Sequence, residues 1–532
     1  MPFSSNSGKH LIDRAVQRIA GAHNNNLRVL DVGVGSGTYY DRYGKGLLPK
    51  PRTEWIGIEI WRPYIEKYSL PDKYDKLYEK DAVLVARDFI GIYTPQKIDI
   101  CFVGDVAEHM EKEKAVYLLN TLSDSCKYLV MSIPLGHYPQ DEYDGNPFEK
   151  HVKDDWTHEE VISTFGNLIV EYGIENEIGV YFMASDIYQR ELLNLLRPKI
   201  AVYGICKNEE QFAARFAASV VYADHSVICD TGSKDATKEI LLKGGVTNVY
   251  QTHVAPWRFD DARNNALMLV PQDVDLCISL DLDEYLQDGW YDILYGEIQM
   301  HYRTRGRLYD KYNCRFQTIW DWRTIASDAE STNKSSHWHE RIHTRHNWRW
   351  KLPVHEILVY TGTDHAEQWA WLGGFLMTQK PDMKEGKHTY LPLLEQSLKE
   401  DPKVWKSWFF YADELVKAGR RMDGIEALAS AIDIPGCDTS YIHLILGGYW
   451  KPIDIMEAQM HYRKACSLAP SSRERWVTLA LFFKEVGPAN QATYAIEKAK
   501  QCTTQSSGYD NNPWCWGPGF DALYEELRDK SI

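Results

Sequence analysis

Twice along the chain, over residues 27–60 and again from residue 198, short apolar runs stop at glycines or carboxylates and give way to helical stretches. The first reads LRVLDVGVGSGTYYDRY then TEWIGIEIW; the second reads IAVYGICKNEE, HSVICDTGSKDATKEILLK and LCISLDLDEYL. A short apolar run bounded by turns suits a strand covered on both faces, and strands alternating with helices wind into parallel sheets. Two separate alternations require two sheets. The runs DICFVGD and KYLVMSIP, separated by KEKAVYLLNTLSDS, carry the first sheet towards residue 190.

At 532 residues the chain is too long for one core, and roughly 100–200 residues per domain gives about three to four domains. From about residue 385 the apolar spacing turns helical, in YLPLLEQSLKEDP, GIEALASAIDIP and AQMHYRKACSLAP, whose closing prolines Pro402, Pro435 and Pro470 stand 33 and 35 residues apart. A period of about 34 is that of tetratricopeptide helix pairs. Three repeats are expected, at least one irregular, because the register over GGYWKPIDIM is loose. The expected order is an α/β domain at 1–190, a second α/β domain at 191–380, helical repeats at 381–510, and a tail at 511–532.

Composition narrows the function. With 44% hydrophobic and 25% charged residues the chain is globular, and its 18 Trp and 33 Tyr supply flat surfaces for sugars or bases as well as for cores. A formal net charge of -15 argues against nonspecific coating of nucleic acid, which needs a broad basic face. Residues 301–352 depart from this, with eleven Lys/Arg against five Asp/Glu, five Trp and five His, a patch fit to face phosphates. Ten Cys without a C-x-x-C pair or zinc spacing imply a reduced, cytoplasmic setting. MPFSSNSGKHLIDRAV lacks the apolar core of a signal peptide and no run suits a membrane span, so a soluble enzyme is expected.

VLDVGVGSG places Asp31, Gly33, Gly35 and Gly37 at a strand-to-helix turn, where glycines let a ligand approach the backbone. The spacing G-x-G-x-G differs from the dinucleotide pattern, and Asp31 would repel a pyrophosphate but attract an amino group or a sulfonium. Glu59 ends the next strand, where an acid can bind ribose hydroxyls, and Asp81 can meet an adenine amino group. VLDVGVGSGTYY, WIGIEIW and DICFVGDVAEHM resemble, in order, the first, second and fourth motifs of class I S-adenosylmethionine-dependent methyltransferases, over roughly residues 10–185. The resemblance implies a Rossmann-like domain with S-adenosylmethionine as cofactor, contacted by Asp31, Gly33, Gly35, Gly37, Glu59, Asp81 and Asp105. Glu108 and His109 resemble the EH after the fourth motif of many small-molecule O-methyltransferases, where a His can take a hydroxyl proton; alternatively Glu108 sits on a helix first turn. PLGHYPQDEYDGNPFEKHVKDDW, with His137 and His151, reads as an acceptor lid without metal spacing.

If the strand at Leu276 runs to Asp283, then Asp281 and Asp283 point one way and Glu284 the other. Two aligned carboxylates make half a site for a hard divalent cation. AVYGICKNEE, ICDTGSKDAT, WRFDDARNNAL, LDLDEY and KLPVHEILV resemble, in order and spacing, inverting family-two glycosyltransferases of the GT-A fold, over roughly residues 198–375. That resemblance implies a nucleotide-diphosphate sugar donor touching Asn208, Glu209, Asp230, Arg263 and Asp281, with Mn²⁺ or Mg²⁺ held by Asp281, Asp283 and His355. Arg263 reads equally as a surface salt bridge; His339, His343 and His346 fit no ligand spacing and read as satisfied or exposed histidines. Glu284, Glu340 and Glu356 are the candidates for the base that inversion needs.

The leading reading is a bifunctional enzyme that glycosylates a soluble acceptor, methylates the sugar or the acceptor, and positions it with the repeats. Peptide S-glycosyltransferases of this type carry such repeats, which makes a peptide or protein acceptor fitting. A second reading is a DNA-base-modifying glycosyltransferase gripping nucleic acid through residues 303–351; a third is a repeat scaffold with one decayed catalytic domain.

Overall fold

The structure is a computed structural model that describes residues 7–86, 98–305, 307–319, 334–381, 390–503 and 512–529. Residues 306 and 320–333 of the basic, aromatic stretch, and residues 511 and 530–532 of the tail, lie outside the described residues. The chain divides into two units, Met1–Pro198 with Tyr295–Leu308, and Lys199–Leu294 with Tyr309–Ile532. Residues 295–308 belong to the first unit because Gln299 and Arg303 bond Glu171 there.

The first unit is a seven-stranded mixed sheet in the order β3-β2-β1-β4-β5-β7-β6. Its strands are β1 (Arg28–Val32), β2 (Glu54–Glu59), β3 (Lys76–Glu79), β4 (Ile98–Gly104), β5 (Cys126–Pro134), β6 (Ile169–Glu175) and β7 (Ile178–Met183). The first five in that order are parallel, and β7 runs against both β5 and β6. Strand alternation divides the residues between two cores. Leu30, Val32, Cys101 and Val103 fill one with Leu118 and Leu122 of helix Lys112–Ser125. Val29, Ile100, Phe102 and Tyr128 fill the other with Ile12, Val16 and Ile19 of helix Lys9–Ala22. Both faces of the central strands are covered, which is why β1, β4 and β5 are mainly apolar.

The second unit has an eight-stranded mixed sheet in the order β10-β9-β8-β11-β14-β13-β17-β12 and a two-stranded ribbon, β15-β16. The members are β8 (Ile200–Cys206), β9 (His225–Asp230), β10 (Asn248–Gln251), β11 (Leu276–Ser279), β12 (Glu284–Leu286), β13 (Lys311–Ile319), β14 (Lys334–Thr344), β15 (Trp348–Lys351), β16 (Ile357–Tyr360) and β17 (Trp369–Gln379). Strands β10, β9, β8 and β11 are parallel. The strand expected to reach Asp283 ends at Ser279: the Glu284 N–H donates to the Asp281 carbonyl at 2.9 Å, closing a turn, so the expected alternation of Asp281, Asp283 and Glu284 fails.

The rest of this unit is helical. Trp405–Lys417, Thr439–Trp450 and Arg473–Val486 begin 34 residues apart, and each pairs with the next helix, Arg421–Ala429, Ile455–Leu468 or Ala489–Gln501. In the outer pairs an indole N–H donates to a proline carbonyl at 2.9 Å, Trp408 to Pro402 and Trp476 to Pro470. One period after Pro402 and Trp408 stand Gly436 and Ile442, so the middle pair lacks this tie and its proline, Pro435, falls one residue early. The ten cysteines are free thiols, buried except for Cys437. Among the described residues no helix is long and apolar enough to cross a membrane.

Gly204 in β8 fixes the approach to the turn after β11. A Cβ there would run into the Leu280 carbonyl oxygen, and the Leu280 N–H donates to the Tyr203 carbonyl at 3.0 Å. Gly204→Val should cost about 1–3 kcal/mol by overpacking and lower the Tm of the full chain by several degrees in scanning calorimetry. An unchanged Tm would show that the Leu280 carbonyl is free to move.

Candidate functional site

In the first unit β1 stops at Val32 and the chain turns through Gly33, Gly35 and Gly37, with φ of 67°, 53° and 85°. Side chains rarely adopt this region. A Cβ on Gly33 would lie 2.6 Å from Val106, so the turn is pressed against the segment that follows β4. Glu59 ties the turn to β2, accepting from the Gly35 N–H on one oxygen and the Trp61 N–H on the other, both at 2.8 Å. Asp105, with φ of 54°, follows β4; its N–H donates to the Ser132 carbonyl at 2.9 Å and its carboxylate accepts from the Ser132 hydroxyl at 3.3 Å. Asp81, after β3, accepts from the Val83 N–H at 2.7 Å and caps the following turn. Asp81, Glu59, the glycine turn and Asp105 therefore stand in spatial order along the carboxyl ends of β3, β2, β1 and β4.

Asp31 departs from its expected place. Strand alternation sends it inward with Val29, where it is 1% exposed and accepts from the Tyr74 hydroxyl at 2.5 Å. It supports the turn from beneath and offers no open oxygen. Burial pushes its pKa up to about 7 and that of Glu59 up to about 6. Lys9 is also buried, with its ammonium 3.0 Å from the Tyr39 hydroxyl; burial lowers its pKa, but Tyr39, Asp105 and Asp31 together raise it. Sequence reasoning missed Lys9 and Tyr74. Lys9 had left a signal, a lysine sharing the helical stripe of Ile12, Val16 and Ile19.

Glu108 and His109 lie on the three-residue 3-10 helix Ala107–His109, ahead of helix Lys112–Ser125, with Glu108 in its single turn. Glu108 is buried, and burial, then Asp105, raises its pKa well above the carboxylate range. Its carbonyl accepts the N–H groups of Val152 and Lys153 at 2.8 and 3.0 Å, which brings the loop carrying His151 over it. Among the described residues, Glu108, His109 and His151 form the group of three whose ligand atoms all lie within 4.8 Å of one another. Asp281, Asp283 and His355, expected to hold the cation together with a donor diphosphate, form no such group by themselves. His137 lies apart, 3.6 Å from Asp154.

In the second unit the loops after β8 and β9 interlock. Asn208, with φ of 55°, donates its N–H to the Ser233 hydroxyl at 2.9 Å and accepts from the Lys234 N–H at 2.7 Å; the Glu209 N–H donates to Thr237 Oγ1 at 2.8 Å. Asp230 is 4% exposed, and its Oδ1 accepts from the Gly232 and Ser233 N–H groups at 3.0 and 2.7 Å, which shapes the loop. Asn208, Asp230 and Asp281 follow the carboxyl ends of β8, β9 and β11, three strands adjacent in the order β9-β8-β11.

Arg263 is no surface residue. Buried over the Trp350 ring, it binds Asp281 at 2.7 and 3.0 Å and Glu356 through its Nε. Arg341, also buried, donates to Glu284 at 3.1 Å and approaches Asp281 to 3.6 Å. Burial would raise the pKa of Asp281, but Arg263 and Arg341 outweigh it and hold the carboxyl well below the usual range. For Asp283 burial, then Asp281, outweigh Arg341 and Arg215 and push it up to about 6, and its Oδ2 accepts from the Gln379 amide at 3.0 Å. Glu284 folds back so that its Oε2 accepts from the Asp281 N–H at 2.9 Å; at 1% exposed it is not placed to meet an acceptor, because the turn after β11 aims it inward. His343 is buried between the Tyr203 hydroxyl, 2.8 Å away, and the Thr344 carbonyl.

A cavity of about 680 Å³ opens beside this network, lined by Arg263, Asp281, Glu340, His355 and Glu356 on one side and Lys406 and Phe410 of helix Trp405–Lys417 on the other. Phe410 stacks on His355 with centroids 3.7 Å apart and planes 10° from parallel. Arg258 grips both oxygens of Glu400 and holds helix Leu391–Glu400 beside the sheet. Glu340 pairs with Lys311 at 2.9 Å, leaving its side chain 57% exposed.

No protein-family model matches the chain, and no curated protein matches it. Among solved structures, MamA is similar at 19% identity and a TM-score of 0.20, over 26% of this chain and 86% of that one. A chain of the Cut9–Hcn1 hetero-tetramer of the APC/C is similar at 18% identity and a TM-score of 0.22, over 26% of each. The bifunctional kinase-methyltransferase WbdD is similar at 15% identity and a TM-score of 0.25, over 33% of this chain and 38% of that one.

Proposed function

We propose that the chain is a bifunctional transferase: its first unit a Rossmann-like, S-adenosylmethionine-dependent methyltransferase, its second a GT-A, inverting glycosyltransferase with tetratricopeptide-like repeats. The observation that carries this reading is that each sheet gathers its motif residues at the carboxyl ends of adjacent parallel strands, where open α/β sheets bind ligands. In the first unit the glycine turn would hold the cofactor, with Glu59 to accept from its ribose hydroxyls, Asp81 to meet its adenine amino group and Asp105 to contact it as well. Asp31 and Lys9 set the field beneath.

In the second unit a nucleotide-diphosphate sugar lies over Asn208, Glu209, Asp230 and Asp281. The 680 Å³ cavity receives the acceptor, a soluble glycan, peptide or protein, against Phe410 and Lys406 of the repeats. Of the candidate bases, Glu340 and Glu356 line that cavity and can take the acceptor proton. Mn²⁺ or Mg²⁺ fits as an ion that enters with the donor, since such ions are bound by one or two carboxylates plus substrate phosphates. Asp283 is the carboxylate left for it, because Asp281 is committed to Arg263 and Arg341. When bound, the ion would neutralise charge on the leaving diphosphate.

Gly35→Arg, which fills the turn, should abolish S-adenosylhomocysteine binding in calorimetry; absence of binding to the folded wild type would refute the methyl-transfer reading. Affinity should also rise with pH and level off above neutrality. The ligand favours ionised Glu59 and Asp31, whose raised values of about 6 and about 7 leave them increasingly protonated below that range. A flat profile from pH 5 to pH 8 would contradict this.

Asp283→Asn should lower release of nucleoside diphosphate by about two or more orders of magnitude, as expected when a group stabilising transition-state charge is lost, with little change in Tm. Chelation of the wild type should do the same. Asp281→Asn should in addition lower the Tm, because buried Arg263 is left with Glu356 alone and Arg341 loses a nearby charge, at a cost of up to about 3–5 kcal/mol. Normal turnover by Asp283→Asn in the presence of chelator would remove the metal from the reading.

A further inference from the structure

Glu108, His109 and His151 come from two separate stretches, the turn after β4 and the loop ahead of Trp156, yet they converge. The His109 Nδ1 faces the Lys150 carbonyl at 3.2 Å, and the His151 Nδ1 faces the Tyr138 carbonyl at 2.6 Å. An imidazole that donates from Nδ1 carries its lone pair on Nε2. A backbone carbonyl behind the ring is also how proteins orient histidines that bind metals. The two rings meet edge to face, with centroids 4.8 Å apart.

The carboxylate supplies an independent observation. Glu108 is 1% exposed, and its Oε2 is buried without a hydrogen-bond partner. A buried carboxylate oxygen without a donor is costly, and native structures supply a proton, a donor or a cation. The loop is pinned where such a site needs it: the His151 N–H donates to the Gln140 carbonyl at 2.9 Å, and the next two N–H groups donate to the Glu108 carbonyl.

We propose that Glu108, His109 and His151 form a binding site for a divalent first-row transition cation, held by two imidazole nitrogens and one carboxylate oxygen, with its remaining positions open to an oxygen-bearing acceptor. Imidazole donors suit zinc, copper, iron or nickel, whereas magnesium and manganese suit all-oxygen sets. Three protein ligands are the number that leaves a catalytic cation with an open position. At bonds of about 2.1 Å tetrahedral ligand atoms sit roughly 3.4 Å apart, so the side chains close inward on binding from the 4.8 Å they span here. The cation site stands on geometry alone; its role in catalysis rests on the methyl-transfer reading. In that role the bound acceptor hydroxyl gives its proton to water. Its oxygen then bonds the methyl carbon as the carbon–sulfur bond breaks, and the electron pair goes to sulfur.

The test uses the full chain, freed of metal by dialysis and titrated by calorimetry with Zn²⁺, with Mn²⁺ and, separately, with S-adenosylhomocysteine. One site for the transition cation is expected. His151→Asn keeps a donor for the Tyr138 carbonyl but removes Nε2, and should weaken that site by about 10–100-fold or more, as should His109→Asn and Glu108→Gln. S-adenosylhomocysteine affinity should stay unchanged in His151→Asn. Equal metal affinity in wild type and in the double variant His109→Asn/His151→Asn, or no metal binding by the wild type, overturns the proposal. Metal binding that depends on the two histidines, in a chain that binds no S-adenosylhomocysteine, upholds the site and removes only the methyl-transfer role.

Discussion

A parallel strand covered on both faces can place a polar side chain without penalty only where the strand runs out of cover, and the rest of this molecule follows from that constraint. In both units the covering helices leave the carboxyl ends open, and there the chain changes at once from Val, Ile and Leu to Gly, Asp, Glu and Asn. The cores set the position of each site. Val32, Ile58 and Val103 are buried in the first sheet, and one or two residues later come Gly33, Glu59 and Asp105. Ile228 and Ile278 do the same for Asp230 and the turn that begins at Leu280. Asp31 obeys the rule by exception, since it lies inside the cover and needs the Tyr74 hydroxyl and the nearby Lys9.

The helical repeats enter the second site through side chains and add no catalytic motif. Helix Trp405–Lys417 places Phe410 on His355 and Lys406 in the cavity wall, while the Arg258–Glu400 fork fixes the preceding helix. A paired helix array is rigid along its length. An acceptor held on it would therefore be presented at a fixed distance from Asp281, which suits a transferase whose acceptor is larger than the cavity.

The legible part of this chain was periodic, and what escaped was made by contacts distant in sequence. The strands of both sheets and the 34-residue helix spacing follow from local apolar patterns, so their outline was readable. The prolines at 33 and 35 residues gave the period although Pro435 sits one residue out of step. The LDLDEY stretch misled, because strand alternation was extended past Ser279 into a turn that no residue-by-residue pattern marks. Arg341 and His151 were also out of reach. One is joined to Glu284 across 57 residues and the other to the Glu108 turn across more than 40, and neither spacing resembles a ligand motif. Burial, which sequence does not print, also gives Asp31, Asp230 and Arg263 hydrogen bonds and ion pairs inside the fold that their motifs did not announce.

The two sites differ in how they treat buried acid, and that difference implies ligands of opposite polarity. Around the glycine turn, buried Lys9 acts on Asp31, Asp105 and Glu108, and burial leaves Asp31, Glu59 and Glu108 with raised pKa values. Such a pocket gains most from a positive ligand, because an incoming cation restores the ionised forms that burial disfavours. A sulfonium cofactor and a divalent cation are both of that kind. Beside β11, Arg263 and Arg341 already hold Asp281 ionised, and Lys406 lines the same cavity as His339 and His355, which burial keeps neutral. Here the acid is satisfied from within, and the remaining field can accept an anion. On the proposed reading, a nucleotide diphosphate lying over Asp281 would meet the two arginines and would be repelled by the acids around the glycine turn, so charge would keep the two ligands apart.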